Sequence, residues 1–275
     1  MEGARSTRKK CRTQTSSANR QYCHSDTFGS MIRGGGFVVS TTGSSPASAV
    51  RAFLLLLGIV VRWTQTGATT LVAARFEGGV VIGADSRTSQ GSFVANRLTD
   101  KIASVAPGIF LARSGSSADT QFIAGVVEAK MEAYRTEFGR SPTVRTVATV
   151  TRNLCYANKD QLSAGIICAG WDPREGGGIF SVPQGGSLLE QPFAVSGSGS
   201  VYALGYCDDN LRPDLTREEC VSHVQRALEM SVSRDGASGG LIRLCVVSAE
   251  GVERWTVFPG RLPVSAAAGG AEDVG

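Results

Sequence analysis

The fold of this 275-residue chain is decided by the stretch TTLVAARFEGGVVIGAD, residues 69–85. Two runs rich in β-branched and apolar residues, 70–76 and 79–85, predict two strands. The glycine pair between them, Gly78 and Gly79, predicts a tight turn, so the two strands are expected to form a hairpin. Thr69 comes directly before the first strand, and Asp85 closes the second.

Thr69 has the chemistry of a nucleophile under one condition. A threonine hydroxyl needs a neighbouring base, and the amine of an N-terminal threonine can be that base. Inside the chain the nitrogen of Thr69 belongs to an amide and cannot accept a proton. Cleavage between Ala68 and Thr69 would free an α-amine with an intrinsic pKa of about 7.7–8.0. The sequence therefore indicates a zymogen, and the alternative is an ordinary threonine at the edge of a strand.

The remaining elements come in groups of strands and groups of helices. Further strands are expected at 102–105, 109–114, 163–170, 178–183, 188–196, 241–248 and 252–258. Helical spacing and a capping-box pattern predict helices at 117–138, from Pro142 to about Leu162, near 200–210, and from Thr216 to about Arg234. Such grouping, without regular alternation of strand and helix, is typical of an α+β fold.

The chain divides into a leader at 1–68, a domain at 69–265 and a tail at 266–275. Residues 1–50 are rich in Ser, Thr, Gly and Arg without periodicity, which predicts disorder. The apolar run 52–61 is too short to span a membrane and too far from Met1 for a signal peptide. We interpret it as part of a propeptide, and we expect the tail to fray.

The charge is concentrated in the leader. Residues 1–68 contain nine basic and two acidic residues, whereas the rest contains 19 basic and 22 acidic residues. The basic excess thus lies in the segment that is expected to be removed. We therefore expect no nucleic-acid binding by the remaining domain. No membrane role is expected either, because the apolar run 52–61 is too short to span a bilayer.

Cysteine and histidine content limits the other chemistry. The seven cysteines are an odd number and no two of them have C-x-x-C spacing, so neither a metal site nor a disulfide framework is expected. We interpret the cysteines as reduced thiols. Of the two histidines, His24 lies in the leader and His223 in a helical stretch. A Ser-His-Asp or Cys-His site would have to rest on His223, which has no nucleophile motif nearby. No metal or cofactor is expected.

Several blocks downstream of Thr69 carry a resemblance to a known family. They are TTLVA (69–73), GGVVIGADSRT (78–88), ANRLTDK (95–101), RSGSSADTQ (113–121), AGWDP (169–173) and RDGASGG (234–240). In this order and spacing they resemble the catalytic β subunits of the 20S proteasome, in particular the caspase-like beta type 1 subunits. The resemblance covers residues from Thr69 to about Pro263.

This resemblance implies both a fold and an activity. The fold would be the four-layer αββα sandwich of N-terminal-nucleophile hydrolases. The activity would be that of a threonine endopeptidase on unfolded or ubiquitin-targeted polypeptides, in the cytoplasm and nucleus and without a cofactor. The subunit would act only within stacked seven-membered rings, together with other proteasome α and β subunits.

The resemblance also assigns catalytic residues. Lys101 matches a lysine that points at the nucleophile and stays charged, and Asp85 matches its partner. Two unit charges about 4 Å apart interact by roughly 4 kcal/mol at an effective dielectric near 20, so this ammonium would favour deprotonated forms of Thr69. Gly115 matches a residue whose backbone N–H donates to the oxyanion. Three further residues match groups that hydrogen-bond around the threonine amine: Ser198, Asp235 and Ser238. Without the resemblance, these four are ordinary turn residues.

Arg113 is the candidate for substrate specificity. It ends an otherwise apolar strand, where an unpaired cation would be costly to bury. It matches an arginine at the base of the pocket for the residue before the scissile bond, where a guanidinium can pair with a carboxylate. Thr88, Thr99 and Gln121 match other positions of this pocket and are polar. Cleavage after Asp or Glu is the expected preference.

One departure from the family pattern concerns activation. The family has glycine directly before the nucleophile, but here Ala68 separates Gly67 from Thr69. Glycine permits backbone angles that alanine resists. Alanine at this place leaves a second hypothesis open, a structural ring subunit that keeps its leader. A third hypothesis, a related amidase acting on small molecules, is disfavoured by Arg113 and the ring-subunit blocks.

Overall fold

The computed structural model describes residues 69–258. Expectations for the leader at 1–68, for the end of the domain after 258 and for the tail at 266–275 lie outside these residues. Within the described range the chain forms twelve strands and four helices. The strands are β1 (Leu71–Phe76), β2 (Gly79–Asp85), β3 (Thr88–Gln90), β4 (Phe93–Asn96), β5 (Ile102–Ala106), β6 (Ile109–Gly115), β7 (Ala164–Asp172), β8 (Gly176–Val182), β9 (Leu189–Glu190), β10 (Phe193–Ser196), β11 (Ile242–Ser248) and β12 (Gly251–Val257). The helices are α1 (Ser117–Phe138), α2 (Val144–Ala157), α3 (Ser200–Asn210) and α4 (Arg217–Arg234).

Ten of these strands build two antiparallel sheets. The first sheet has the order β10-β1-β2-β11-β12, and the second has the order β5-β6-β7-β8-β9. The predicted β1–β2 hairpin is confirmed, with Phe76 opposite Gly79. Gly78 supplies the positive φ of +95° in its turn. Gly79 supplies space, since a Cβ there would overlap the ring of Phe76.

Three apolar clusters arrange the sheets and helices in four layers. Between the two sheets, side chains of β1 and β2 pack against those of β5, β6, β7 and β8. Helices α1 and α2 cover the outer face of the second sheet, while α3 and α4 cover the outer face of the first. Because β2 is buried on both faces, its sequence is continuously apolar up to Asp85. The structure is thus the expected α+β fold, an αββα sandwich.

Three elements differ from expectation. The helix predicted to reach about Leu162 ends at Ala157, where Asn158 caps it by donating to Leu154 O at 2.9 Å. The strand predicted at 188–196 is two strands: β9 pairs with β8 in the second sheet, and β10 pairs with β1 in the first. The chain crosses between the sheets at Pro192, which has no N–H for a ladder.

The third difference is a small hairpin that the sequence did not predict, formed by β3 and β4. Its residues are mostly exposed, so they lack the apolar alternation that marks a half-buried strand. None of the helices within residues 69–258 has an apolar stretch long enough to cross a bilayer.

Candidate active site

Thr69 is fixed by the loop that connects β10 to α3. Its backbone nitrogen donates to Ser198 Oγ at 3.1 Å, and its carbonyl accepts from Gly199 N at 3.2 Å. Gly197, with φ of +92°, passes so close that a Cβ would overlap this carbonyl. The Gly-Ser-Gly run therefore allows one backbone to approach another and brings the Ser198 hydroxyl to the nitrogen of Thr69.

Asp85 and Lys101 form a buried ion pair beside Thr69. The two side chains meet at 2.7 Å between Lys101 Nζ and Asp85 Oδ1, and both residues are nearly or fully buried. The Asp85 carboxylate also accepts three backbone N–H groups, from Thr70 at 2.9 Å, Gly239 at 3.0 Å and Arg87 at 3.2 Å. These donors hold the end of β2, the start of β1 and the loop before β11 around one carboxylate.

Burial and charge act on Lys101 in opposite directions. Burial lowers the pKa of the Lys101 amine below its usual value, while the carboxylates of Asp85 and, more weakly, Asp235 raise it. An isolated buried ammonium would be very costly, so the contact with Asp85 is what allows a cation at this position. The pair therefore supplies a positive charge on the floor of the site.

On the other side of Thr69, the carboxylate of Asp235 accepts hydrogen bonds from two serine hydroxyl groups. Ser198 Oγ donates to Asp235 Oδ2 at 2.7 Å, and Ser238 Oγ donates to the same oxygen at 2.6 Å. Burial opposes ionisation of Asp235, but the hydrogen bonds from Ser238, Ser198 and Ala237 N outweigh it and lower the pKa of this carboxyl. The amine side of Thr69 is thus lined by hydroxyl groups bound to a carboxylate.

A cleft opens over Thr69 and is lined by residues from four other parts of the chain. β6 contributes Arg113 and Gly115, and the segment before β5 contributes Thr99 and Lys101. Other lining residues are Thr88 and two that the sequence analysis missed, Ser117 and Thr120. These two lie in the first turn of α1, so the positive end of the helix dipole faces the cleft. Negative charge is favoured there.

Arg113 lies in this cleft with part of its hydrogen-bonding capacity unused. Its Nη2 donates to Asp100 O at 2.7 Å, whereas its buried Nε has no partner among the described residues. Burial lowers the pKa of the guanidinium below its usual value, and the charge of Asp100 opposes this shift. Nearby, Thr88 Oγ1 donates to Thr99 Oγ1 at 2.9 Å. The arrangement leaves a cation facing a polar cleft.

Most of the residues predicted for the site come together, with one exception. Gln121 is exposed and does not line the cleft; its Nε2 donates to Ser117 Oγ at 3.0 Å. Arg87 was missed: its guanidinium lies over Gly239 and donates to Gly236 O at 3.0 Å, which fixes the loop beside Asp235. In the sequence, Arg87 stands two residues after Asp85 inside the block 78–88 that carries the resemblance, but nothing there indicates its contact with the loop at 236–239. Among residues 69–258 there is no cluster of side chains that could hold a metal ion.

This chain has a threonine at the start of a strand inside an αββα sandwich, and a buried lysine lines the same cleft. This arrangement is that of the N-terminal-nucleophile hydrolases. The family model described as "Proteasome subunit" matches residues 65–247, and the chain belongs to this family. It is 46% identical over 195 residues to a proteasome subunit beta type-6 of Dictyostelium discoideum, covering 71% of this chain and 91% of the relative.

Two yeast relatives agree with this membership. The chain is 46% identical over 191 residues to proteasome subunit beta type-1 of Saccharomyces cerevisiae, covering 70% of this chain and 88% of the relative. It is also 46% identical over 186 residues to a probable proteasome subunit beta type-1 of Schizosaccharomyces pombe, covering 68% and 82%. The resemblance noted from the sequence blocks, to beta type 1 proteasome subunits, is therefore confirmed.

Proposed function

We propose that this chain is a threonine endopeptidase subunit of the proteasome core, active once Thr69 is the N-terminal residue. The observation that carries the proposal is the placement of Thr69 between two groups. Ser198 contacts its nitrogen at 3.1 Å, and the Lys101–Asp85 ion pair supplies a cation in the same cleft. A nucleophile, the nitrogen that would be its base and an electrostatic stabiliser thus lie together.

The chemical steps would run as follows in the processed subunit. The free amine of Thr69 takes the proton of its own hydroxyl, and Oγ1 attacks the carbonyl carbon of the scissile peptide bond. The resulting oxyanion is stabilised by the backbone N–H of Gly115. The amine then gives its proton to the leaving nitrogen, so the peptide bond breaks and an ester on Thr69 remains. Water, deprotonated by the same amine, hydrolyses that ester and restores the hydroxyl.

The substrates would be unfolded polypeptides, cleaved after acidic residues. Arg113 supports this preference because a carboxylate entering the cleft would meet the partly buried guanidinium that lines it. The hydroxyls of Thr88 and Thr99 and the N-terminus of α1 add donors and positive potential on the same side.

The subunit would work inside stacked seven-membered rings of proteasome α and β subunits, in the cytoplasm and nucleus. The proteasome subunit family and the β-subunit relatives support this assembly. Exposed apolar side chains on α3 also support it: Val201 is 73% exposed, and Tyr202 and Leu204 lie beside it. An apolar helix face of this kind is typical of a surface that is covered in an assembly.

A second candidate function is a structural ring subunit that keeps residues 1–68. The observation in its favour is Ala68, where the family pattern has glycine. In such a subunit the nitrogen of Thr69 remains an amide and cannot act as a base. The same fold and the same cleft would then serve assembly alone.

N-terminal sequencing of the subunit isolated from its assembled complex separates the two functions. A start at Thr69, with hydrolysis of peptides ending in Glu or Asp that Thr69→Ala abolishes, is the result expected for the endopeptidase. Thr151→Ala is the matched control, because this buried threonine lies on α2 and bonds Val147 O at 2.9 Å, outside the cleft. A start upstream of Thr69 would overturn the proposal in favour of the structural subunit.

A further inference from the structure

Thr70, the residue after the nucleophile, places a buried hydroxyl next to the amine side of the site. Its side chain is fully buried, and its Oγ1 lies 2.8 Å from Ser238 Oγ. We propose that Thr70 is a positioning residue, whose hydroxyl donates to Ser238 and so supports the bond from Ser238 to Asp235, the carboxylate that also holds Ser198 beside the nitrogen of Thr69. The inference rests on the proposed function and adds to it a residue that does not touch the substrate.

The direction of the Thr70–Ser238 bond follows from the number of protons available. Each serine or threonine hydroxyl has one proton to donate. Ser238 gives its proton to Asp235 Oδ2 at 2.6 Å, and Ser198 gives its own to the same oxygen at 2.7 Å. The oxygen of Ser238 is therefore the acceptor in its contact with Thr70, and Thr70 is the donor.

The chain of bonds ends at the nitrogen of Thr69. The Ser198 hydroxyl has two acceptors within reach, Asp235 Oδ2 at 2.7 Å and the carbonyl of Thr69 at 3.3 Å. The shorter contact, to a carboxylate, takes the proton, and the oxygen of Ser198 accepts from Thr69 N at 3.1 Å. After cleavage the α-amine would use one N–H in this contact and keep its lone pair for its own hydroxyl. The two serines are coupled through the Asp235 carboxylate, which accepts from both: a weaker bond from Ser238 leaves more negative charge on the oxygen that Ser198 also contacts.

The surroundings of Thr70 hold its hydroxyl in one place. Its N–H donates to Asp85 Oδ1 at 2.9 Å, and its carbonyl accepts from Asp85 N at 3.2 Å, which fixes the backbone. Gly199 lies against Oγ1 so closely that a Cβ would overlap it, although the φ of Gly199 is an ordinary −80°. Glycine is thus needed there for space and not for backbone angle, and the space it leaves is occupied by the Thr70 hydroxyl.

Replacing Thr70 with valine removes the donor while keeping almost the same shape. Ser238 would lose the donor that fixes its orientation, and its bond to Asp235 would weaken. The charge of Asp235 would then act more strongly on the nearby amine and raise the pKa of that amine. Because the neutral amine is the reactive form, activity would begin at a higher pH. We expect kcat to fall about tenfold, the rate equivalent of one lost hydrogen bond, with KM unchanged.

The test uses core particles assembled with Thr70→Val, Thr70→Ser or Thr151→Val in this subunit. Intact mass gives the fraction of subunits that begin at Thr69, and kcat and KM for a Glu-ending peptide are measured per processed subunit across pH. Thr70→Val should lower kcat and move the acid limb of the pH profile upward. Thr70→Ser, which keeps the hydroxyl, should restore both, and Thr151→Val should change neither.

Four results would decide against the inference. The inference is overturned if Thr70→Val has the wild-type kcat and pH profile. It is also overturned if Thr70→Ser is as impaired as Thr70→Val, because loss of methyl packing would then explain the effect. If Thr70→Val does not assemble, Thr70→Ala removes the hydroxyl without adding volume, and a wild-type profile per processed subunit would overturn the inference. A wild-type subunit that keeps residues 1–68 and lacks activity would overturn the proposed function, and this inference with it.

Discussion

Replacing Arg113 with methionine should abolish the preference for acidic peptides and leave hydrolysis itself intact. Methionine keeps an unbranched stem of similar shape but has no charge. A carboxylate about 4 Å from the guanidinium would gain roughly 4 kcal/mol at an effective dielectric near 20. Arg113 is only partly buried, so solvent screens this attraction, and we expect about half of it, about 2 kcal/mol. That energy corresponds to a factor of about 30 in kcat/KM.

The assay compares two peptides that differ only in ending with Glu or Gln before the cleaved bond. The wild-type ratio of kcat/KM should be about 30 in favour of Glu, and Arg113→Met should bring it close to one. Arg243→Met is the matched control, since Arg243 also has a buried Nε without a partner in the described range and donates to Leu98 O at 2.9 Å. It lies on β11 and does not line the cleft. An unchanged ratio in Arg113→Met, or an equal loss in Arg243→Met, would refute the reasoning.

Three further outcomes are expected. Lys101→Met should stop peptide hydrolysis and lower the free energy of unfolding by about 3–5 kcal/mol in urea titration, because it leaves Asp85 buried without its cation; retention of wild-type stability would contradict this. The pKa of Asp235 is lower in the folded protein, so its stabilising effect is complete above the usual value of 3.8 and disappears as pH falls through the lower, folded value. The stability difference between wild type and Asp235→Asn should therefore shrink in acid, and a difference independent of pH would argue against it. Burial raises the pKa of Cys155 to about 11, and the other four described cysteines are also buried, so native alkylation at pH 7.5 should be at least about 100-fold slower than for a free thiol; rapid labelling would disagree.

The parts of the fold that the sequence predicted are those with a strong local pattern. The β1–β2 hairpin was predictable because two apolar runs flank a glycine pair. The crossing between sheets near Pro192 depends on which strand each half pairs with, and a continuous strand pattern at 188–196 does not contain that information. Exposed β3 and β4 had no burial pattern to detect.

The site divides in a similar way. Thr69 could be singled out by its chemistry, whereas Asp85, Lys101 and Arg113 were assigned chiefly through the family resemblance. Thr70 was not found, because its contact with Ser238 joins residues 168 positions apart. The direction of a hydrogen bond also depends on all the neighbouring donors, and only the folded chain brings these together. The role of Gln121 stays a prediction: it is exposed on α1 and contacts Ser117, which lines the cleft.

The attachment of Thr69 has a consequence for the chain end that cleavage would create. A new terminus usually frays, and its first residues then sample many conformations. Here Leu71 is paired on both sides, with Ser196 and Ala84, and the carbonyl of Thr69 is bound to Gly199 N. Folding has therefore already removed the conformational entropy of this segment before any cut is made. Cleavage before Thr69 would therefore free an α-amine that is already held in position. Breaking this one peptide bond would create the base without any rearrangement of the described fold.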